Sequence, residues 1–261
     1  MKNIEFDLAK VKDFLNGEFI DPFLNKELSS FIVGDSKFIR SKLALLYLRA
    51  QVCEITPLTY EILSIGELIH DSSLLHDDVL DNAELRRGKE TISNIFGDKV
   101  SILAGDYLLC YAIEKLLKFD NKKFIEIFKN CTKQMCEAEF KQYFNRGIVL
   151  TEDEYLMICR GKTAKLFSAI LESVSILHGL NVESAVRFGE LFGLCFQIKN
   201  DLEPKSMRQD IKNKIYTAKD ILGIEKTNYL LDNYKEEMRE ILSKFSDNVY
   251  KQSLEDLIKN L

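Results

Sequence analysis

The chain has little proline: Pro22, Pro57 and Pro204 are its only three in 261 residues. Because proline interrupts helices, this scarcity favours long, unbroken ones. The sequence also lacks a strand-rich block, an internal repeat and a low-complexity linker. A chain of this length can bury a substantial core, and we expect a single domain over residues 1–261.

The cysteine patterns of metal sites and disulfide-rich proteins are absent as well. The six cysteines are scattered, and no two have the CxxC spacing. This argues against a zinc site or a disulfide framework and predicts reduced cysteines in the core.

Long apolar runs and an excess of positive charge are also missing. No run approaches the roughly eighteen apolar residues of a membrane-spanning helix, and the first residues, MKNIEFDLAKVKDF, lack the apolar centre of a signal peptide. The net charge of −5 gives no general reason to bind nucleic acid. With 46% apolar and 30% charged residues, the composition is that of a globular protein, which we expect in the cytoplasm.

Apolar residues recur with helical spacing along most of the chain. They lie three and four apart in TYEILSIGELIHDSSLLHDDVLD, SILAGDYLLCYAIEKLLKF and DEYLMICRGKTAKLFSAILESVSILHG. We expect Gly179 to cap the last of these and Lys226 to Leu261 to form two amphipathic helices. Turns are expected near Arg87–Gly88 and Gly97–Asp98. The sequence therefore predicts an all-α helical bundle.

Adjacent carboxylates and an arginine pair stand together in HDSSLLHDDVLDNAELRRGKET. On a helix, Asp77 and Asp81 share a face, while Asp78 lies about 100° around. A divalent ion relieves the repulsion among such carboxylates, and oxygen ligands favour Mg²⁺. Arg86 and Arg87 are then suited to bind phosphate oxygens. The alternative is a solvated acidic helix end that happens to precede a basic turn.

Several motifs follow one another in a defined order. GDSKFIRSKL precedes DDxxD at Asp77 to Asp81 and RRG at Arg86 to Gly88, and ILAGDYLL, GKTAKLF and GLCFQIKND come later. This ordered set, from about Gly34 to Leu242, resembles the trans-prenyl diphosphate synthases. The resemblance implies an isoprenoid-synthase helical bundle with a central apolar cavity that holds the growing chain.

The resemblance also implies a reaction, a cofactor and an assembly. An allylic diphosphate ionises, its carbocation adds to isopentenyl diphosphate, and a proton is lost; Mg²⁺ is required, and the enzyme is a homodimer or part of a heteromer. The family pattern assigns metal binding to Asp77, Asp78, Asp81 and Asp201, the allylic diphosphate to Arg86 and Lys162, isopentenyl diphosphate to Lys37, Arg40, His70 and Arg87, and the reacting end to Lys162, Thr163 and Gln197.

Each assigned residue also has an ordinary structural explanation. Lys37 and Arg40 are otherwise surface charges near a turn, and His70 is otherwise a core histidine with satisfied hydrogen bonds. Lys162 and Thr163 imitate the end of a phosphate-binding loop, but the first glycine of that motif is missing and the preceding residues read as helix, which excludes it.

The second aspartate-rich motif departs from the family pattern. Where DDxxD is expected, residues 200–204 read NDLEP. Asn200 offers a carbonyl oxygen but no charge, and Pro204 ends the helix. One metal site is therefore weakened unless Glu203 or Asp210 rebuilds it.

These departures leave several functions open. The first is an active polyprenyl diphosphate synthase, and the second is a degenerate homologue that binds prenyl diphosphates or regulates a catalytic partner. A metal phosphohydrolase matches HDSSLLHDD only superficially, because the spacing fails. A terpene cyclase matches Asn200–Asp201, but Pro204 and Arg208 replace its expected serine and glutamate. We favour the synthase.

Two serines bear on the length of the product. Ser72 and Ser73 precede Asp77 by about one helical turn. In the family, an aromatic residue there resembles a floor that stops elongation. The serines therefore predict an open tunnel and a product of geranylgeranyl length or longer, although ILGIEKTNYLL near the C-terminus is more like the short-chain branch.

Overall fold

The computed structural model describes residues 2–16, 37–119, 121–203 and 213–261. The predictions about Gly34, Pro204, Arg208 and Asp210 lie outside these residues. Nearly all the regular structure described is helical, so the all-α prediction is confirmed. Among the residues described, none of the helices has both the length and the hydropathy that a bilayer crossing requires.

The described residues form two compact units. The first unit falls within residues 1–45 and 54–125, and the second within residues 46–53 and 126–261. A single domain over residues 1–261 stays a prediction.

In the first unit, one long helix carries the first aspartate-rich motif, and three other helices pack against it. The elements in chain order are α1 (Lys2–Asn16), α2 (Ile39–Ala50, whose last turn belongs to the second unit), α3 (Pro57–Leu80), β1 (Leu85–Arg86), β2 (Lys89–Glu90), α4 (Ile92–Phe96) and α5 (Asp98–Lys118). α1, α4 and α5 all contact α3.

Local signals define where α3 begins. The backbone N–H of Thr59 donates to the side chain of Thr56, and the backbone N–H of Thr56 donates to the side chain of Thr59, both at 3.3 Å. Pro57 occupies the first helical position, where its missing N–H costs nothing. The helix then runs for 24 residues with a buried, mostly apolar middle.

The predicted turn at Arg87–Gly88 joins a short hairpin. Arg87 has φ +54° and Gly88 has φ +82°, as a two-residue hairpin turn with positive φ at both positions requires. The paired strands on either side are only two residues long, and the sequence analysis did not predict them.

The second unit carries the later motifs. Its elements are α6 (Lys122–Phe144, whose first turn belongs to the first unit), α7 (Glu152–Cys159), a π-helical turn (Arg160–Ala164), α8 (Lys165–Leu177), α9 (Val182–Leu202), α10 (Ala218–Leu222), α11 (Ile224–Ser243) and α12 (Val249–Lys259). Gly179 follows α8 with φ +64°, and α11 and α12 are the two helices expected in the tail. The π-helical turn was not predicted.

α9 approaches the π-helical turn and α8 at backbone distance. A Cβ atom on Gly193 would lie 2.4 Å from the Cα of Ala164, and one on Gly189 would lie 2.8 Å from the Cα of Ser168. Only glycine allows this approach. It brings the motif residues of α9 next to those of the π-helical turn.

Candidate active site

The three aspartates of the first motif differ in exposure. Asp77 and Asp81, four residues apart at the end of α3, are both half-exposed, whereas Asp78 is fully buried. The helix period accounts for this, because Asp78 lies about a quarter-turn away from the face that Asp77 and Asp81 share. Two carboxylates, rather than three, therefore share the half-exposed face of α3.

The buried Asp78 forms an ion pair with Arg86. Its Oδ1 accepts hydrogen bonds from Nε and Nη2 of Arg86, both at 2.7 Å. Within the described residues, Oδ2 of Asp78 has no hydrogen-bond partner. Burial raises the pKa of Asp78, and the charge of Arg86 opposes that rise. The pair ties β1 to α3, so the structure joins two residues to which the sequence analysis gave separate roles.

Arg87 is in a different situation from its neighbour. It is exposed in the hairpin turn, whereas Arg86 is half-buried against Asp78. The two arginines of the RRG motif are therefore not equivalent.

Two more acids, Glu67 and Asp71, are buried earlier in α3. Glu67 accepts hydrogen bonds from the backbone N–H of Ser41 at 3.1 Å and from its hydroxyl at 2.6 Å. Asp71 is 2% exposed, and its Oδ2 has no hydrogen-bond partner in the part of the chain that is described. Burial, followed by the negative charge of Glu67, raises the pKa of Asp71 well above its usual range, while Arg87 and Arg40 oppose the shift. Glu67 was not predicted as a site residue, although an acid in the apolar run SIGELI was a visible signal.

Of the residues predicted to bind isopentenyl diphosphate, three are electrostatically coupled. Burial, followed by the positive charges of Arg40, Arg87 and Arg86, holds the pKa of His70 well below its usual range, so the imidazole is neutral. Arg40 is buried in the first turn of α2. Lys37 is exposed just before that helix.

Ser72 and Ser73 point their hydroxyls at different partners. Ser72 is buried and donates to the carbonyl oxygen of Gly105 in α5 at 2.8 Å, whereas half-exposed Ser73 donates to the carbonyl oxygen of His70 in its own helix at 2.7 Å. Ser73 lies four residues before Asp77, so those two share a helix face.

In the second unit, Lys162 of the π-helical turn is held by two side chains of α6. Its Nζ lies 2.6 Å from Oε2 of Glu139 and donates to Oε1 of Gln142 at 2.7 Å. Glu139 and Gln142 are three residues apart and so share a helix face. Sequence analysis missed both, because nothing local shows which cation lies opposite that face.

The other predicted residues of the second unit form a continuous chain of hydrogen bonds. Thr163 Oγ1 donates to Gln197 Oε1 at 2.6 Å, and Gln197 Nε2 donates to Asp201 Oδ1 at 2.8 Å. Tyr155 Oη donates to Asp201 Oδ2 at 2.6 Å. Burial raises the pKa of Asp201, and these hydrogen bonds oppose the shift. Tyr155 was missed by the sequence analysis.

The first motif suits a magnesium ion. Mg²⁺ binds through one or two carboxylates and completes its shell with water and substrate phosphates, and Asp77 and Asp81 offer two half-exposed carboxylates on one helix face. Over the described ranges, no group of three or more histidine, cysteine, aspartate or glutamate side chains could hold a metal ion. Among the described residues, Asp77 and Asp81 would therefore be the acidic ligands of such an ion, with water and substrate phosphates as further ligands.

The chain is similar to several characterised enzymes. It is 33% identical to octaprenyl diphosphate synthase of Escherichia coli over 187 residues, which is 70% of this chain and 58% of that enzyme. It is 36% identical to the chloroplastic solanesyl diphosphate synthase 1 of Arabidopsis thaliana over 153 residues, 57% of this chain and 38% of that enzyme. The matches thus span only about half the length of these relatives.

Solved structures share the fold. A decaprenyl diphosphate synthase from Rhodobacter capsulatus matches with a TM-score of 0.88 at 24% identity, covering 99% of this chain and 96% of that one. A heptaprenyl diphosphate synthase from Staphylococcus aureus matches with a TM-score of 0.89 at 21% identity, covering 98% and 97%. Residues 21–260 match the polyprenyl synthetase family. This chain belongs to the polyprenyl synthetase family.

Proposed function

We propose that this chain is a Mg²⁺-dependent trans-polyprenyl diphosphate synthase, which joins an allylic diphosphate to isopentenyl diphosphate. The observation that carries the proposal is the arrangement at the end of α3, where Asp77 and Asp81 share a half-exposed face and the RRG hairpin is tied to Asp78 through Arg86. Membership of the family supports it. The relatives are named for octaprenyl and solanesyl products, which favours a product of geranylgeranyl length or longer.

Asp77 and Asp81 are assigned to metal binding in this proposal. Bound Mg²⁺ supplies positive charge to a departing diphosphate. Lys162 is assigned to the allylic diphosphate, and its two bonds to α6 fix the ammonium in one place. A charge held in position before the reaction stabilises a developing anion without reorganisation.

Isopentenyl diphosphate is assigned to Lys37, Arg40, His70 and Arg87. The three cations supply charge, and the neutral imidazole of His70 can donate one hydrogen bond to a phosphate oxygen. The buried acids Glu67 and Asp71 interact electrostatically with Arg40 and Arg87.

The reacting end is assigned to Thr163 and Gln197. Because the Thr163 hydroxyl gives its hydrogen to Gln197, its oxygen lone pairs remain to face a carbocation. This dipole would favour ionisation of the allylic substrate in an apolar surrounding.

We further propose that the enzyme is a homodimer. The support is an apolar face on α5, where Leu103, Ile113 and Leu117 are 68%, 47% and 65% exposed and recur at helical spacing around Cys110. Contiguous exposed apolar surface favours association. Light scattering coupled to size exclusion, on the wild type and on Leu103→Glu/Leu117→Glu, tests this: the variant should elute as a monomer.

The activity is tested with purified protein, Mg²⁺ and labelled isopentenyl diphosphate, with dimethylallyl, geranyl and farnesyl diphosphates supplied separately. We expect elongation, and we expect Asp77→Ala to lower its rate by about 100-fold or more because the metal loses a ligand. Asp232→Ala, which removes an exposed helical aspartate, is the matched control and should keep the wild-type rate. No elongation with any primer from folded protein would indicate a prenyl-diphosphate-binding subunit instead.

A further inference from the structure

Asp201 is the one acid of the second aspartate-rich motif that keeps the family register. Its carboxylate already accepts hydrogen bonds from several neighbours. It is 7% exposed. Oδ1 accepts from Nε2 of Gln197 at 2.8 Å, and Oδ2 accepts from Oη of Tyr155 at 2.6 Å and from the backbone N–H of Ala218 at 3.4 Å. Donors from α7, α9 and the start of α10 therefore converge on this one group.

These partners suit a hydrogen-bonded anion rather than a metal ligand. A carboxylate has about four lone-pair sites, and three hydrogen bonds already occupy most of those of Asp201, so little capacity remains for a metal ion. Tyr155 stays a donor, because burial, with the nearby Cys159 and Asp201, raises the pKa of its phenol. Asn200, which stands where the family has its first acid, carries no charge. Neither Asn200 nor Asp201 therefore offers the accessible, charged oxygen that a magnesium ion prefers.

The carboxylate also determines how the next side chain is oriented. An ionised aspartate only accepts hydrogen bonds, so the amide nitrogen of Gln197 must face Asp201. The amide oxygen of Gln197 is then directed to the hydroxyl of Thr163, 2.6 Å away. The orientation of the Thr163 hydroxyl thus depends on Asp201 through Gln197.

We infer that Asp201 is a positioning residue rather than a metal ligand: it holds Gln197, and through it the Thr163 hydroxyl, while the divalent metal is bound by the first motif. The catalytic part of this inference rests on the proposed function. The part that concerns metal binding is testable without turnover.

Metal binding is measured with Mn²⁺ and inorganic pyrophosphate by calorimetry or by electron paramagnetic resonance. Asp81→Asn should weaken Mn²⁺ binding by about tenfold or more. Asp201→Asn should change it by less than about threefold, because no metal contact is lost. The wild type and Asp232→Asn serve as controls.

Thermal melting in EDTA gives a second readout, in which Asp201→Asn rather than Asp81→Asn should show the loss. Asp201→Asn should lower the melting temperature by about 3 °C or more, because its amide nitrogen would face the donors of Gln197 or Tyr155. Asp81→Asn should leave the melting temperature unchanged or raise it, since it relieves repulsion from Asp77. Loss of Mn²⁺ affinity in Asp201→Asn equal to that in Asp81→Asn, or an unchanged melting temperature, would overturn the inference.

If Asp201→Asn does not fold, Tyr155→Phe tests the same role of Asp201. It removes one donor and keeps the ring, so Mn²⁺ binding should not change, kcat should fall and both KM values should stay constant. In a Thr163→Val background the same change should lower kcat no further, because both act on one hydrogen-bonded chain. Independent, multiplicative losses would contradict the inference. Absence of elongation in every variant and in the wild type would refute the proposed function while leaving the Mn²⁺ and melting results valid.

Discussion

The two arginines of the RRG motif show that the surroundings of a charged side chain determine how much it contributes to stability. Arg86 is held by the fully buried carboxylate of Asp78, whereas Arg87 is exposed in the turn. Removing one partner of a buried ion pair leaves an uncompensated charge, while an exposed arginine contributes little to stability. We therefore expect the first arginine to contribute mainly to the fold and the second to be available to a substrate.

Two matched variants test this difference. Arg86→Ala should lower the free energy of unfolding by about 3 kcal/mol, since it leaves Asp78 buried without its cation. Arg87→Ala should change it by less than about 0.5 kcal/mol but should raise the KM for isopentenyl diphosphate. Urea denaturation followed by circular dichroism gives the first quantity and steady-state kinetics the second. Equal losses of stability in both variants would contradict the assignment.

At the scale of an element, α3 presents different chemistry on different faces. Ser72 packs against α5 through its bond to Gly105, while Ser73 lies on the face of Asp77. A larger side chain therefore meets a neighbouring helix at the first position and the helix face that carries Asp77 at the second. The sequence alone gave both serines one role, that of leaving the tunnel open.

We expect Ser73→Phe to shorten the product and to leave the protein folded. The ring would occupy space one turn below Asp77, where the growing chain is proposed to run. Ser72→Phe should instead reduce stability by about 1–3 kcal/mol, because it overpacks the contact between α3 and α5. Chromatography of the products resolves the first effect and urea denaturation the second; a product distribution that Ser73→Phe leaves unchanged would rule out the tunnel.

Other elements were predictable to different degrees. The helices α3, α8, α11 and α12 followed from apolar spacing and capping residues, which are local properties. The π-helical turn was not predictable, because its sequence, RGKTA, continues a helical pattern. It lies where α9 makes its closest approach, at Gly193, and that contact comes from residues about thirty positions away.

For the molecule as a whole, the buried acids of α3 make stability depend on pH. The pKa of Asp71 is raised well above its ordinary value of 3.8, so the folded state holds a proton more tightly than the unfolded state does. The stability linked to Asp71 is therefore complete below about pH 4 and is lost as pH rises through the raised pKa. His70, with a lowered pKa, has the opposite effect: its contribution is lost as pH falls below about 6.5.

Asp71→Asn should isolate the contribution of that acid. Relative to this variant, the wild type should lose free energy of unfolding as pH rises from about 4, by about 1.4 kcal/mol for each unit of raised pKa. His70 is present in both proteins, so its effect largely cancels in the difference. Urea denaturation at several pH values between about 4 and 8 measures it, with Asp232→Asn as the exposed control. A difference that does not vary with pH would show that Asp71 titrates normally.

The sequence by itself determined what depends on local spacing: the all-α elements, the turn at Arg87–Gly88 and the shared face of Asp77 and Asp81. Only the tertiary structure decided which carboxylates stay accessible. Asp78 is bound by Arg86, eight residues away, and Asp201 accepts a hydrogen bond from Tyr155, 46 residues away. The physical reason is that helical period fixes the direction of a side chain from its own helix, whereas burial and hydrogen-bond partners come from elements that folding brings alongside.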